Sequence, residues 1–379
     1  MTLKLARRGQ IPPFIAMDVL REANRRAAAG DGVIHLELGQ PSTPAPKGVL
    51  AAARAALARE RLGYTDACGL SRLREAIARH YGQAYGLALD PERVVVTTGS
   101  SAGFILGFLA AFDAGDRVAI AAPGYPAYRN ILAALDLVPV ELAVGPEQHY
   151  QPSLAQLEGE ELAGLIVGSP ANPTGSMLDA AQIAALARHC AARGTRLVSD
   201  EIYHGITYGK PAASAAGVGD AIVVNSFSKY YSMTGWRVGW MVAPQEMVRP
   251  IECLAQNLYV SPPTLSQHAA LAAFDCAEEL DANVARYAEN RALLLAALPK
   301  AGFERFAPAD GAFYLYTDVA HLTNDSEEFC RRMLREIGVA CTPGVDFDRA
   351  RGNASLRFCF AGTTEEIAEA ARRIAAWKR

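Results

Sequence analysis

Between Arg93 and Val242 short β-branched runs take turns with Ala-rich stretches of helical spacing, and this alternation constrains the fold more than any other feature of the sequence. Arg93–Thr97 (RVVVT), Arg117–Ala121, Leu165–Val167, Thr195–Ser199, Ala221–Asn225 and Trp236–Val242 read as strands. Continuous apolar runs, rather than alternating ones, belong to strands covered on both faces. Val49–Glu60, Leu70–Ala84, Ser101–Phe112, Tyr125–Leu135 and Asp179–Arg193 read as helices, the last with Asp179 near its cap. Strands and helices in this order predict an α/β fold built on a largely parallel sheet with helices on both sides.

After about Cys276 the order changes. Asp281–Leu298 reads as a long helix, Gly311–Tyr316 as a strand, Ser326–Ile337 as a helix, Ser355–Cys359 as a strand and Glu365–Trp377 as an amphipathic helix. That is an α+β order, and 379 residues are too many for one small core. The chain is therefore expected to divide into a large α/β domain over 47–275 and a smaller α+β domain over 276–379.

Charge excludes several classes of partner. Lys plus Arg number 37 against 40 Asp plus Glu, a net charge of −3, so neither a nucleic-acid footprint nor a basic membrane face is indicated. The seven cysteines are scattered and form no C-x-x-C pair, which points to free thiols in a reducing cytoplasm. Lys4, Arg7 and Arg8 near the start are not followed by an apolar stretch of signal-peptide length, and no apolar run is long enough to span a bilayer. None of the seven histidines stands at a metal-ligand spacing, so no metal is expected. His204 is expected to be structural.

The chemistry concentrates in Asn225-Ser226-Phe227-Ser228-Lys229, followed by Met233-Thr234-Gly235-Trp236-Arg237-Val238-Gly239. A lone Ser-x-Lys is common and often marks only a surface lysine. Here an apolar strand ends in two hydroxyls and a lysine, with an arginine eight positions on beside glycines. A cofactor carrying a phosphate and an aldehyde requires that set: an amine to form a Schiff base, hydroxyls and a forked guanidinium for phosphate.

From Gly39 to Arg357 the chain resembles the class I/II aminotransferases, pyridoxal-phosphate enzymes of fold type I, with the motifs in the family's order. The resemblance implies pyridoxal 5'-phosphate as cofactor, a mostly parallel seven-stranded sheet in the large cofactor-binding domain, and an N-terminal segment, 1–46, that joins the smaller domain. Lys229 then holds the cofactor and acts as base at the substrate Cα and as acid at the cofactor's aldehyde carbon, in a ping-pong transfer between an L-amino acid and a 2-oxo acid.

Further motifs gain roles from the same resemblance. Ser169-Pro170-Ala171-Asn172-Pro173-Thr174-Gly175 is a turn by composition; in the family its asparagine, Asn172, meets the cofactor ring oxygen and the substrate carboxylate. Asp200, in Ser199-Asp200-Glu201-Ile202-Tyr203, could merely cap a helix, but by resemblance it pairs with the pyridine nitrogen. Glu201 falls on a structural position, and Tyr203 donates to the ring oxygen. The small-residue turn Thr98-Gly99-Ser100-Ser101-Ala102-Gly103 is a weak signal alone; the resemblance places the phosphate on Ser100, Ser101 and Ala102, completed by Ser226, Ser228 and Arg237. Tyr125, in Pro123-Gly124-Tyr125-Pro126-Ala127-Tyr128, takes the place of the aromatic ring that lies on the cofactor, where some relatives carry Trp. Arg357 could be a solvated edge charge; by resemblance it clamps the substrate α-carboxylate, a bidentate geometry that lysine cannot copy. Gly39, in Glu37-Leu38-Gly39-Gln40-Pro41, allows close backbone approach to the ligand. Tyr64 takes the position of a tyrosine that reaches the phosphate in a neighbouring subunit, which implies a homodimer with shared active sites.

The same scaffold also carries carbon–sulfur lyases and cofactor-binding regulators. The regulators carry a DNA-binding domain ahead of the fold, and about forty residues precede Gly39, short of a typical domain. Dicarboxylate-specific relatives supply an extra basic residue. Ser101–Phe112 contains no Lys or Arg, so neutral, apolar amino acids are the expected substrates, although loops near Phe14 or Tyr259, or the partner subunit, remain other sources of contacts.

Overall fold

The structure is a computed structural model that describes residues 3–378; the terminal residues of the expected smaller domain, Met1, Thr2 and Arg379, lie outside the described residues. A seven-stranded sheet runs, in spatial order, Val94–Thr97, Gly239–Val242, Ile222–Ser226, Arg196–Asp200, Gly164–Gly168, Arg117–Ala122 and Val138–Ala143. Gly239–Val242 is antiparallel to both of its neighbours, and the remaining pairings are parallel. Val94, Val96, Leu165, Val167 and Val223 feed one core cluster; Val95, Ile166, Ile222, Val224 and Met241 feed another. Alternate side chains of a strand point to opposite faces, so both faces are covered. Fully burying a valine or isoleucine contributes roughly 1.5–3 kcal/mol, which commits a run such as Val94-Val95-Val96 to this setting.

A second, antiparallel sheet orders Thr342–Pro343, Ser355–Cys359, Tyr314–Asp318 and Arg305–Phe306, with Arg357 opposite Tyr316. A third cluster, including Phe303, Leu315, Leu356, Phe358 and Ile367, packs around it. The helix Ile15–Ala28 lies against the short strands Val339–Ala340 and Thr342–Pro343. The carboxylate of Asp346 accepts from the backbone N–H groups of Ile15 (3.0 Å) and Ala16 (3.1 Å) at the start of that helix.

Several elements differ from expectation. The edge strand Val138–Ala143 escaped the sequence reading because Pro139 lacks a ladder donor, which an edge tolerates. The run Trp236–Val242 is a strand only from Gly239: Thr234–Trp236 forms a 3₁₀ turn and Arg237 sits at φ +50°. Gly311–Tyr316 becomes Tyr314–Asp318, since Ala312, at φ +58°, interrupts the extended run. Helices Gln245–Leu258 and Thr264–Leu271 were not expected, and Pro250 inside the first argues against a helix locally. Asp179 does cap Ala180–Ala192, accepting from the Gln182 N–H at 2.8 Å while the Gln182 side chain accepts from the Asp179 N–H.

Thr97, Asp200 and Ser226 all close the carboxyl ends of strands that run in one direction. Open α/β sheets bind ligands outside that edge. Among the described residues no helix is long and apolar enough to cross a membrane.

Candidate active site

At one end of this edge the helix Gly99–Ala111 starts directly after its strand. Thr98, at the cap position, makes no side-chain cap bond, and the first turn holds no acidic residue. The leading N–H groups, on Gly99, Ser100 and Ser101, are thus left for an external acceptor, and Ala102 follows in the same turn. Gly99 has φ +73°, and a Cβ there would collide with the Arg237 guanidinium. Glycine is what lets that cation lie against the helix start. Gly239 pairs with both Thr97 and Ser226, and a Cβ on it would meet the Ser100 nitrogen at 3.1 Å. Beside it the Ser226 hydroxyl donates to Ser228 Oγ at 2.9 Å, and the Ser228 N–H donates back to Ser226 Oγ at 3.1 Å. Free N–H groups, hydroxyls and one guanidinium make a donor-rich cup suited to a phosphate.

Next along the edge is Asp200. It is buried, yet it accepts from the Tyr128 hydroxyl and from the Ile202 N–H at 3.1 Å. Burial pushes its carboxyl up to about 6, against the pull of those two donors. The carboxylate is therefore mostly ionised at neutral pH, and a nearby cation would hold it so more firmly. Tyr125 precedes the helix Pro126–Ala134, half-buried, with its ring edge-on to Tyr128 (5.3 Å) and Phe14 (6.0 Å). Glu201 turns into the scaffold, accepting from the Ala215 N–H and the Ser214 hydroxyl, each at 2.7 Å. The Nε2–H of His204 donates to the Ser169 carbonyl at 3.0 Å and its Nδ1 accepts from the Tyr85 hydroxyl at 2.7 Å. Burial pushes that imidazole down to about 4, so it stays neutral.

Lys229 lies between these groups and the second sheet. Its amine donates to the Gly39 carbonyl at 2.6 Å and stands 5.8 Å from the centre of the Tyr203 ring. Desolvation pushes the ammonium down to about 8. Only the neutral amine attacks an aldehyde, so protein stripped of cofactor should capture pyridoxal phosphate faster as pH rises. The rate should climb about tenfold per pH unit below roughly pH 8 and level off above it. Stopped-flow absorbance checks this, and a flat profile from pH 6 to 9 would contradict it.

The third group is Arg357, which is 2% exposed and therefore not an edge charge in solvent. Its Nη1 donates to Asn172 Oδ1 at 2.9 Å, and its Nη2 donates to Thr342 Oγ1 at 3.1 Å and to the Glu37 carbonyl. These acceptors are uncharged, and the buried Nε has no partner among the described residues. The guanidinium lies 4.4 Å from the centre of the Tyr314 ring and 4.7 Å from that of Phe347. A buried cation with neutral partners and a vacant donor is suited to an anion. Tyr203 links this end to the lysine, its hydroxyl 2.6 Å from that of Tyr314.

The structure thus brings together Gly39, Ser100, Ser101, Ala102, Tyr125, Asn172, Asp200, Tyr203, Ser226, Ser228, Lys229, Arg237 and Arg357 along one sheet edge and the facing sheet. Tyr64 stands apart, 85% exposed. Sequence reasoning missed Tyr128, Tyr314, Thr342 and Phe347. Tyr128 had a faint signal, one helical turn after Tyr125. The others become visible only when the second sheet is laid against the first. An anion cup, a desolvated lysine and a buried carboxylate fit the phosphate, the aldehyde and the ring nitrogen of pyridoxal phosphate.

The family profile described as aminotransferase class I and II matches residues 31–374. A valine–pyruvate aminotransferase of Mycobacterium tuberculosis is 50% identical, the match covering 100% of this chain and 99% of the relative. A crystal structure of an aminotransferase from the same organism superposes with a TM-score of 0.97 at 49% identity, covering 99% of each chain. Aspartate aminotransferase from Thermus thermophilus, solved with maleate, superposes at 0.93 with 30% identity, again over 99% of each chain. The chain belongs to the class I and II aminotransferases of fold type I. It is a pyridoxal-phosphate-dependent aminotransferase.

Proposed function

We propose that this enzyme moves the amino group of a small apolar L-amino acid, valine among them, to pyruvate or a similar 2-oxo acid by a ping-pong route. The carrying observation is the chain of contacts from the Lys229 amine through Tyr203 and Tyr314 to a buried Arg357 whose hydrogen-bond partners are all uncharged. The name of the half-identical relative supports the substrate pair. So does the absence of Lys and Arg from Gly99–Ala111.

When bound, pyridoxal phosphate supplies an aldehyde for covalent linkage and a ring that accepts electron density. The helix start at Ser100, Ser101 and Ala102, with Ser226, Ser228 and Arg237, holds the phosphate. Asp200 keeps a proton on the ring nitrogen, and the Tyr128 hydroxyl holds that carboxylate in line. Tyr203 and Asn172 donate to the ring oxygen. Tyr125 covers one ring face, a contact that contributes roughly 0.5–1.5 kcal/mol beyond burial. Arg357, steadied by Asn172, takes the substrate α-carboxylate beside the Gly39 backbone. The Lys229 amine would act as base toward the substrate Cα and as acid toward the carbon that carried the cofactor's aldehyde.

The same reading divides the chain into a large domain, 47–275, and a smaller one, 1–46 with 276–379. It pairs two copies so that the exposed Tyr64 reaches the partner's phosphate cup. The seven free cysteines support a reducing, cytoplasmic setting. A panel of amino donors in single turnover, followed by loss of the bound cofactor's absorbance, tests the substrate assignment. Valine and alanine should react at least about tenfold faster than aspartate; equal or faster reaction of aspartate would overturn it.

A further inference from the structure

Tyr314 is buried, and Tyr203 holds the only hydrogen bond of its hydroxyl among the described residues, at 2.6 Å. Gly39 closes over that hydroxyl so tightly that a Cβ at Gly39 would overlap it. Among the described residues the Tyr203 oxygen is thus the one hydrogen-bond acceptor within reach of the Tyr314 proton. Tyr203 is not closed off in this way, since its ring faces the Lys229 amine at 5.8 Å. The other end of Tyr314 serves a different group: its ring carries the Arg357 guanidinium at 4.4 Å. The sheet register produces this double contact. Arg357 stands opposite Tyr316, and Tyr314, two residues along, is its diagonal neighbour on the same face.

We propose that Tyr314 is a positioning residue that acts at both ends of the site, its hydroxyl donating to the Tyr203 oxygen so that Tyr203 donates onward to the cofactor, and its ring seating Arg357 for the substrate carboxylate. This rests on the proposed role of Tyr203. Two hydroxyls in series orient and polarise each other, so the first donor strengthens the second. A weaker Tyr203 donor leaves the ring oxygen dependent on the proton of the nitrogen that joins the cofactor to Lys229. That nitrogen then keeps its proton to higher pH.

The test compares Tyr314→Phe, Tyr314→Leu and Tyr203→Phe in the cofactor-loaded enzyme, by pH titration of cofactor absorbance and by steady-state kinetics with valine and pyruvate. Tyr314→Phe retains the ring and should raise the titration midpoint by about 0.3–1 pH unit, with kcat down roughly 2- to 10-fold and KM for valine little changed. Tyr314→Leu removes the seat of Arg357 as well, and should also raise KM for valine several-fold. Tyr203→Phe should raise the midpoint further than Tyr314→Phe. A wild-type midpoint in Tyr314→Phe beside a shifted one in Tyr203→Phe would overturn the role of Tyr314 alone. An unshifted Tyr203→Phe would overturn the assignment of Tyr203, and the role of Tyr314 with it.

Discussion

Lys229→Ala is expected to abolish transamination and to leave borohydride-treated, cofactor-saturated protein without a pyridoxyl label. Two functions vanish together in this variant. The covalent anchor is lost, and so is the amine that carries the proton to and from the substrate Cα. Proton transfer by a positioned side chain alone contributes roughly 10²- to 10⁴-fold, and among the described residues no second amine hydrogen-bonds the Gly39 carbonyl, where Lys229 sits at 2.6 Å. The expected loss in kcat therefore exceeds about 10⁴-fold. The substitution removes a half-buried side chain outside the core clusters, so circular dichroism and the thermal midpoint should stay close to wild type. Turnover within tenfold of wild type, or a label found on another lysine, would refute the assignment.

Asp200→Ala should cost several orders of magnitude in rate while leaving part of the cofactor bound. The aspartate is the buried anion at the carboxyl edge of the sheet, held by Tyr128 and the Ile202 N–H. Removing one member of a buried ion pair costs roughly 3–5 kcal/mol, which is on the order of 10²- to 10⁴-fold in rate when the pair acts in the transition state. Phosphate binding should survive in part, because the cup formed by Gly99–Ala102, Ser226, Ser228 and Arg237 does not involve Asp200. Equilibrium dialysis of the cofactor and single-turnover kinetics separate the two effects. Unchanged turnover would remove Asp200 from the mechanism. A dead enzyme with no affinity for the cofactor would place its role in binding alone.

The parts of the fold that were legible in sequence share one property: the local signal and the tertiary setting agree. Val94-Val95-Val96 is apolar throughout because both faces of its sheet are covered. Ser226, Ser228, Lys229 and Asp200 were legible because the carboxyl ends of parallel strands, and the loops that follow them, carry polar groups absent from the apolar strand middles. Val138–Ala143 and Gln245–Leu258 were not, because Pro139 and Pro250 oppose locally what sheet pairing and helix packing impose. Arg237 had a readable identity but an unreadable conformation: its left-handed backbone is held between the 3₁₀ turn and Gly239. Tyr314 carries no distinctive local pattern, and Tyr128 only its spacing from Tyr125. Their importance arises from partners 72 and 111 residues away, a separation that periodicity and motif spacing do not encode.

The bond between Arg357 and the Glu37 carbonyl joins positions 320 residues apart, and that between Asp346 and Ile15 spans 331. Contacts of such long range close late, since local structure forms without paying the entropy of a large loop. The phosphate cup draws on residues no later than Gly239, whereas the carboxylate clamp needs Arg357 to meet residues near the start of the chain.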